Sequence, residues 1–157
     1  MKIIKRLYNL VKSLLFNTSI KPYKWTVIDM DYSDITIGFN DGTVDYILEL
    51  DWEDGIIDIE FSVKGAMFHD TTNLHNQYKI LTTVAYATRR ITDSITNSTG
   101  YQFHSISFKS SEYRNGIVDP RSMEVRNKFF IKYVLRQFPN ACVTVSENNS
   151  LLIKLNR

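Results

Sequence analysis

The stretch DITIGFNDGTVDYILELDWEDGIIDIEFSV, residues 34–63, decides the fold. Ile35, Ile37 and Phe39 alternate with smaller or polar residues, and Asn40-Asp-Gly42 then supplies a hairpin turn. Val44, Tyr46, Leu48 and Leu50 resume the alternation, with Asp45, Glu49 and Asp51 opposite them. Trp52-Glu-Asp-Gly55 reads as a second turn. Ile57, Ile59, Phe61 and Val63 follow as an inner face, with Asp58 and Glu60 outside. Successive side chains leave a strand on opposite sides, so this two-residue period signals pleated strands. Gly and Asn tolerate the positive φ of tight turns. With Trp25–Met30 as an earlier strand, residues 25–63 form an antiparallel meander with one buried and one acidic face.

Downstream, the period changes. Ile80, Val84, Ala87, Ile91 and Ile95 recur at helical spacing, which predicts an amphipathic helix over 74–97 closed by Gly100. His104–Phe108 reads as a short strand. Asp119-Pro120 starts another helix, with Asp as N-cap and Pro in the first turn, and Pro139 ends it. Residues 141–146 and 151–155 read as a final strand pair. Upstream, residues 2–16 form an amphipathic pattern. Ile3, Ile4, Leu7, Leu10, Val11, Leu14 and Leu15 share one face, and Lys2, Lys5, Arg6 and Lys12 the other. The expected architecture is a single α+β domain over 1–157. A mainly antiparallel sheet (the four-strand meander, a further strand and a C-terminal strand pair) carries two packed helices. Residues 1–20 add a basic amphipathic helix that docks on the domain, enters a partner's groove or lies on an anionic surface.

Composition bounds the class of protein. The chain has 157 residues, 43% of them apolar and 13% aromatic, enough for one buried core and unlike a disordered segment. Lys12 interrupts the first apolar stretch and no small-residue cleavage site follows, so no secretory signal or membrane span is expected there. The one cysteine, Cys142, lies in the run Ala141–Val145 and is expected to be a buried free thiol in a reducing compartment. Formal net charge is only +2, but it is distributed in blocks. Residues 1–24 carry six bases and no acid, residues 25–63 eleven acids and no base, and residues 64–157 thirteen bases and six acids. Such blocks reflect pairing inside one domain or separate surfaces for different partners.

Candidate chemistry is sparse. Asp29 with Asp31, and Asp58 with Glu60, have the two-residue spacing that could hold a magnesium or manganese ion. No Lys or His stands within residues 25–63 to assist it, and a solvated acidic face or a seat for the basic first helix is preferred. His69, Asp70 and His75 lie in a polar loop without a further ligand, and His104 reads as a partly buried, hydrogen-bonded histidine. Glycine-rich phosphate loops, a nucleophile elbow and zinc spacings are missing from the sequence. No cofactor is expected. Arg121, Lys128, Lys132 and Arg136 step along one side of the last helix as a basic stripe, a secondary candidate for nucleic-acid contact. Arg126 falls on the apolar arc with Met123, Phe130 and Tyr133, where a structural partner such as a meander carboxylate is expected. Asp45, Glu49, Asp58 and Glu60 form the acidic candidate surface.

Two resemblances add to this reading. Lys79-Ile-Leu-Thr-Thr-Val84, Ile106-Ser-Phe108 and Arg121…Arg126…Tyr133 make residues 68–157 similar to small bacteriophage proteins of loosely defined pattern. The order of strands and helices also resembles the GCN5-related N-acetyltransferases. That resemblance would place an acetyl-CoA pyrophosphate loop at residues 70–78, where Thr71-Thr-Asn-Leu-His-Asn-Gln77 supplies none of the glycines the family uses. The expectation is a non-enzymatic phage accessory or virion-associated protein in the host cytoplasm or the virion. It would act by contact with a host or phage protein, and a homo-oligomer and nucleic acid stay open as partners. The alternatives are an acyltransferase-like enzyme and an acidic-surface antagonist of a host nucleic-acid-binding protein. A membrane partner is not expected.

Overall fold

The structure, a computed structural model, describes residues 21–64, 77–108, 113–114, 117–118, 120–147 and 150–156. The basic amphipathic segment 1–20, the loop holding His69, Asp70 and His75, and the N-cap assigned to Asp119 lie outside the described residues. The meander forms as β1 (Trp25–Met30), β2 (Asp34–Asn40), β3 (Asp45–Glu53) and β4 (Ile56–Val63). Helix α1 spans Gln77–Thr99, and β5 spans Ser105–Phe108. A small hairpin, β6 (Tyr113–Arg114) and β7 (Ile117–Val118), precedes helix α2 (Pro120–Gln137). Strands β8 (Cys142–Val145) and β9 (Leu151–Lys154) close the chain.

Seven strands make one sheet in the order β1-β2-β3-β4-β5-β9-β8. All neighbours are antiparallel except β4 and β5, which run parallel across the α1 crossover. The expected α+β class is therefore observed, with one parallel pair inside the sheet. The C-terminal pair inserts β9, not β8, beside β5.

Turn chemistry sets the register. Asp54 and Gly55 have φ of 50° and 79°, so the β3–β4 turn is the two-residue type with both central residues left-handed. The strands consequently run to Glu53 and restart at Ile56, and Trp52 lies within β3 rather than in the turn. Gly55 also lies under the His104 ring. A Cβ there would stand 2.8 Å from His104 Nε2 and 3.1 Å from the Gln102 carbonyl. His104 Nε2 donates to the Asp54 carbonyl at 2.7 Å, and its Nδ1 lies 2.9 Å from the Ser105 hydroxyl. His104 is hydrogen-bonded as expected but exposed, because it precedes β5 and caps a surface turn. At the β2–β3 turn, Asp41 Oδ1 accepts from the Thr43 and Val44 amides at 2.9 and 2.7 Å.

Both helices pack on one face of the sheet. Ile35, Leu50, Ile59, Phe108 and Leu151 form one cross-strand row of that face, and Ile57, Ile106 and Ile153 another. All eight are buried. Phe130 of α2 stacks on Phe108 with ring centroids 3.8 Å apart. Arg89 of α1 ties the helices together, donating to Asp93 Oδ2 at 2.6 Å and to the Gln137 carbonyl at 2.6 Å. Tyr23 fixes the entry to β1. Its amide donates to Thr83 Oγ1 at 2.9 Å, and the Lys79 ammonium sits 4.3 Å from the centre of its ring.

Candidate functional site

Among the described residues, no helix or strand covers the second face of the sheet, and the pleat sends the carboxylates there. Asp34, Asp51 and Asp58 stand opposite one another on β2, β3 and β4. One row along, Glu49 faces Glu60, and Thr36 links Glu49 to Asp29 on β1. Directly opposed residues place their Cβ atoms roughly 5 Å apart, and like charges so placed are destabilising. Partial desolvation and the charges of Asp31, Asp51 and Asp29 raise the Asp34 pKa above its ordinary value. The expected quartet Asp45, Glu49, Asp58 and Glu60 is thus regrouped. Glu49, Asp58 and Glu60 share the acidic zone with Asp34 and Asp51, while Asp45 stands apart at the other end of β3. There Asn40 Nδ2 donates to the Asp45 carboxylate at 2.7 Å.

Beyond the acidic rows the face changes character. Gly38, Ile47 and Ser62 make an uncharged row. Ile28, in a β-bulge between Val27 and Asp29, leans over Gly38. A Cβ on Gly38 would come within 2.8 Å of Ile28 Cδ1. Next to it opens a shallow hollow of about 280 Å³, lined by Lys24, Ile28, Gly38, Asn40, Asp45, Ile47 and Lys64 among others. Edge strand β1 is apolar and open, with Ile28 56% and Met30 62% exposed.

The basic stripe belongs to the opposite side of the molecule. Arg121, Lys128 and Lys132 are exposed on α2, and the Arg136 guanidinium lies 4.7 Å from the centre of the Tyr133 ring. The acidic face and the stripe are not brought together, because the sheet stands between them. Arg126 is half-buried. The strand carboxylates Asp45, Glu49, Asp58 and Glu60 leave the sheet on the face opposite its buried apolar rows. Cys142 is exposed, not buried. Its strand is the sheet edge, and its register with Lys154 turns it to the open face.

No group of three His, Cys, Asp or Glu side chains converges to hold a metal among the described residues. Asp29 and Asp31 each turn an oxygen to the next backbone amide, Met30 at 3.0 Å and Tyr32 at 2.7 Å. No helix among those residues is long and apolar enough to cross a membrane. Asp34, Lys24 and Lys64 were missed as site residues. Asp34 and Asp51 carried a signal in strand parity, but their alignment needs the cross-strand register that the turn fixes. No known family, curated protein or solved structure matches the chain.

Proposed function

We propose that this chain is a non-enzymatic accessory protein that works by protein–protein contact through the open face of its sheet. The observation behind this reading is the stack of carboxylates from Asp34, Glu49, Asp51, Asp58 and Glu60 on the face that no described helix or strand covers. Such a surface is unfavourable to itself and favours a partner presenting lysine or arginine. An infected cell or a virion is the setting expected from the pattern read in residues 68–157. The test is affinity capture from phage-infected bacteria with the wild-type chain and with E49K/E60K. A protein captured by the first and lost by the second is the expected result. Capture that ignores the substitutions, or no specific capture, overturns the reading.

One observation favours a second reading as an acyltransferase-like protein. Strands β4 and β5 run parallel, paired from Ile56–Ser105 to Ile59–Phe108, with α1 in the crossover between them. In open sheets, ligands bind outside the carboxyl ends of parallel strands joined by a helix. Thermal unfolding with acetyl-CoA separates the readings, because binding to the native state at a hundredfold excess over Kd stabilises by about 2.7 kcal/mol. A flat response removes the acyltransferase.

A further inference from the structure

The apolar layer of the sheet runs one strand further than the helices that cover it. Three of its rows extend onto edge strand β1, where Trp25 pairs with Phe39, Val27 with Ile37 and Met30 with Ile35. Directly opposed residues share a face, so Val27 and Met30 lie on the helix side. Their partners Ile37 and Ile35 are 0% and 5% exposed, whereas Val27 and Met30 are 51% and 62% exposed. Helices α1 and α2 therefore leave these two uncovered. The chain enters the same edge from the same side. The Tyr23 amide donates to Thr83 Oγ1 of α1, and the Tyr23 ring stacks on Phe39 with centroids 6.1 Å apart. Residues leading to Tyr23 thus arrive on the helix side, at the Trp25 end of β1. Twenty residues precede Lys21, and they carry the apolar arc of Ile3, Leu7, Leu10, Leu14 and their neighbours.

We infer that residues 2–16 of this chain are the occupant of that strip. They lie on Val27 and Met30 as a third helix beside α1, apolar arc inward and antiparallel to β1. A helix over 2–16 is roughly 22 Å long and a strand the length of β1 roughly 20 Å, so one spans the other. Residues 17–20 make the turn between them. Leu14 and Leu15 fall nearest Trp25, and Ile3 and Ile4 nearest Met30. Charge alone would send the segment to the carboxylate face, but its apolar arc would there meet Glu49 and Asp51. An amphipathic helix takes the seat that buries its apolar stripe. Lys2, Lys5, Arg6 and Lys12 then face water. Because the carboxylate face stays open, this seat stands or falls apart from the proposed contact.

Peroxide oxidation of the full chain, read at Met30 by peptide mass spectrometry, tests it, because thioether oxidation follows exposure. The dilute wild type is expected to oxidise slowly at Met30. L7K/L14K, which places charge on the apolar arc, is expected to speed that oxidation by on the order of tenfold. K5E/K12E, on the polar side, is expected to leave it unchanged. If circular dichroism shows L7K/L14K unfolded, the milder Leu10→Ser takes its place. Wild-type Met30 that oxidises as fast as in the apolar-arc variant overturns the inference. Protection of Met30 that appears only as the protein is concentrated would put a second copy on the strip, which also overturns it. So does K5E/K12E if it raises carboxyl modification of Glu49 and Asp51, because the segment would then lie on the carboxylate face.

Discussion

The two faces of the sheet are written by the same residues in alternation, yet they differ in every physical respect. Leu48 and Leu50 are fully buried, while Glu49 between them is exposed. The helix-covered face stacks Ile, Leu and Phe across strands and supplies the burial that stabilises the fold. The open face opposes Asp to Asp and Glu to Glu. One register enforces both, because a slip by one residue would exchange the faces entirely. The apolar rows hold the carboxylates in place against their repulsion, so the burial that stabilises the fold and the exposed charge are segregated to opposite sides of one layer.

The most direct way to break this contrast is to truncate across it. Phe130→Ala empties a site that is fully buried against Phe108, and is expected to lower stability by about 3–5 kcal/mol in urea unfolding. Leu48→Ala should lower it by about 2–5 kcal/mol, whereas Glu49→Ala, one residue along, should stay within about 0.5 kcal/mol. Equal effects at 48 and 49 would refute the register.

The turn that sets the register is the next point of attack. Gly55→Ala combines a positive φ with the approach of His104, and should destabilise by about 2–4 kcal/mol. Gly42→Ala, at φ 100° with nothing within 4 Å, should lose only about 1–2 kcal/mol. Thr83→Val would strand the Tyr23 amide, loosening the entry to β1 by about 1–3 kcal/mol. Thermal unfolding of the three variants ranks them.

The smallest effect belongs to the open face. The Asp34 pKa lies above its unfolded value, so the folded state holds the proton more tightly. The resulting penalty is fully present at neutral pH and fades as pH falls through the folded pKa toward the ordinary carboxylate value. Asp34→Asn should therefore be mildly stabilising at pH 7 and neutral at low pH. A destabilised variant at pH 7 would show that Asp34 has a favourable partner.

Much of the fold was legible because residues 34–63 obey strict alternation and their turns carry Gly. Helix α1 was legible from Ile80, Val84, Ala87 and Ile91, and α2 from its proline start. The rest depended on distant pairing. Nothing local states that β4 and β5 run parallel, or that β9 enters between β5 and β8. The two-residue strands β6 and β7 are too short for any period to register. Cys142 misled because Ala141–Val145 is apolar in composition, whereas burial there is decided by its place at the sheet edge. Of the site, the carboxylates were legible individually. Their alignment into rows, and the lysines beyond Ile47, needed the register.

Carboxyl footprinting of the dilute chain tests the central claim most directly. The expected result is ready modification of Glu49, Asp51, Asp58 and Glu60, falling together as the partner is added. If these four are already shielded in dilute solution, the open face is covered within the monomer and cannot be the contact surface.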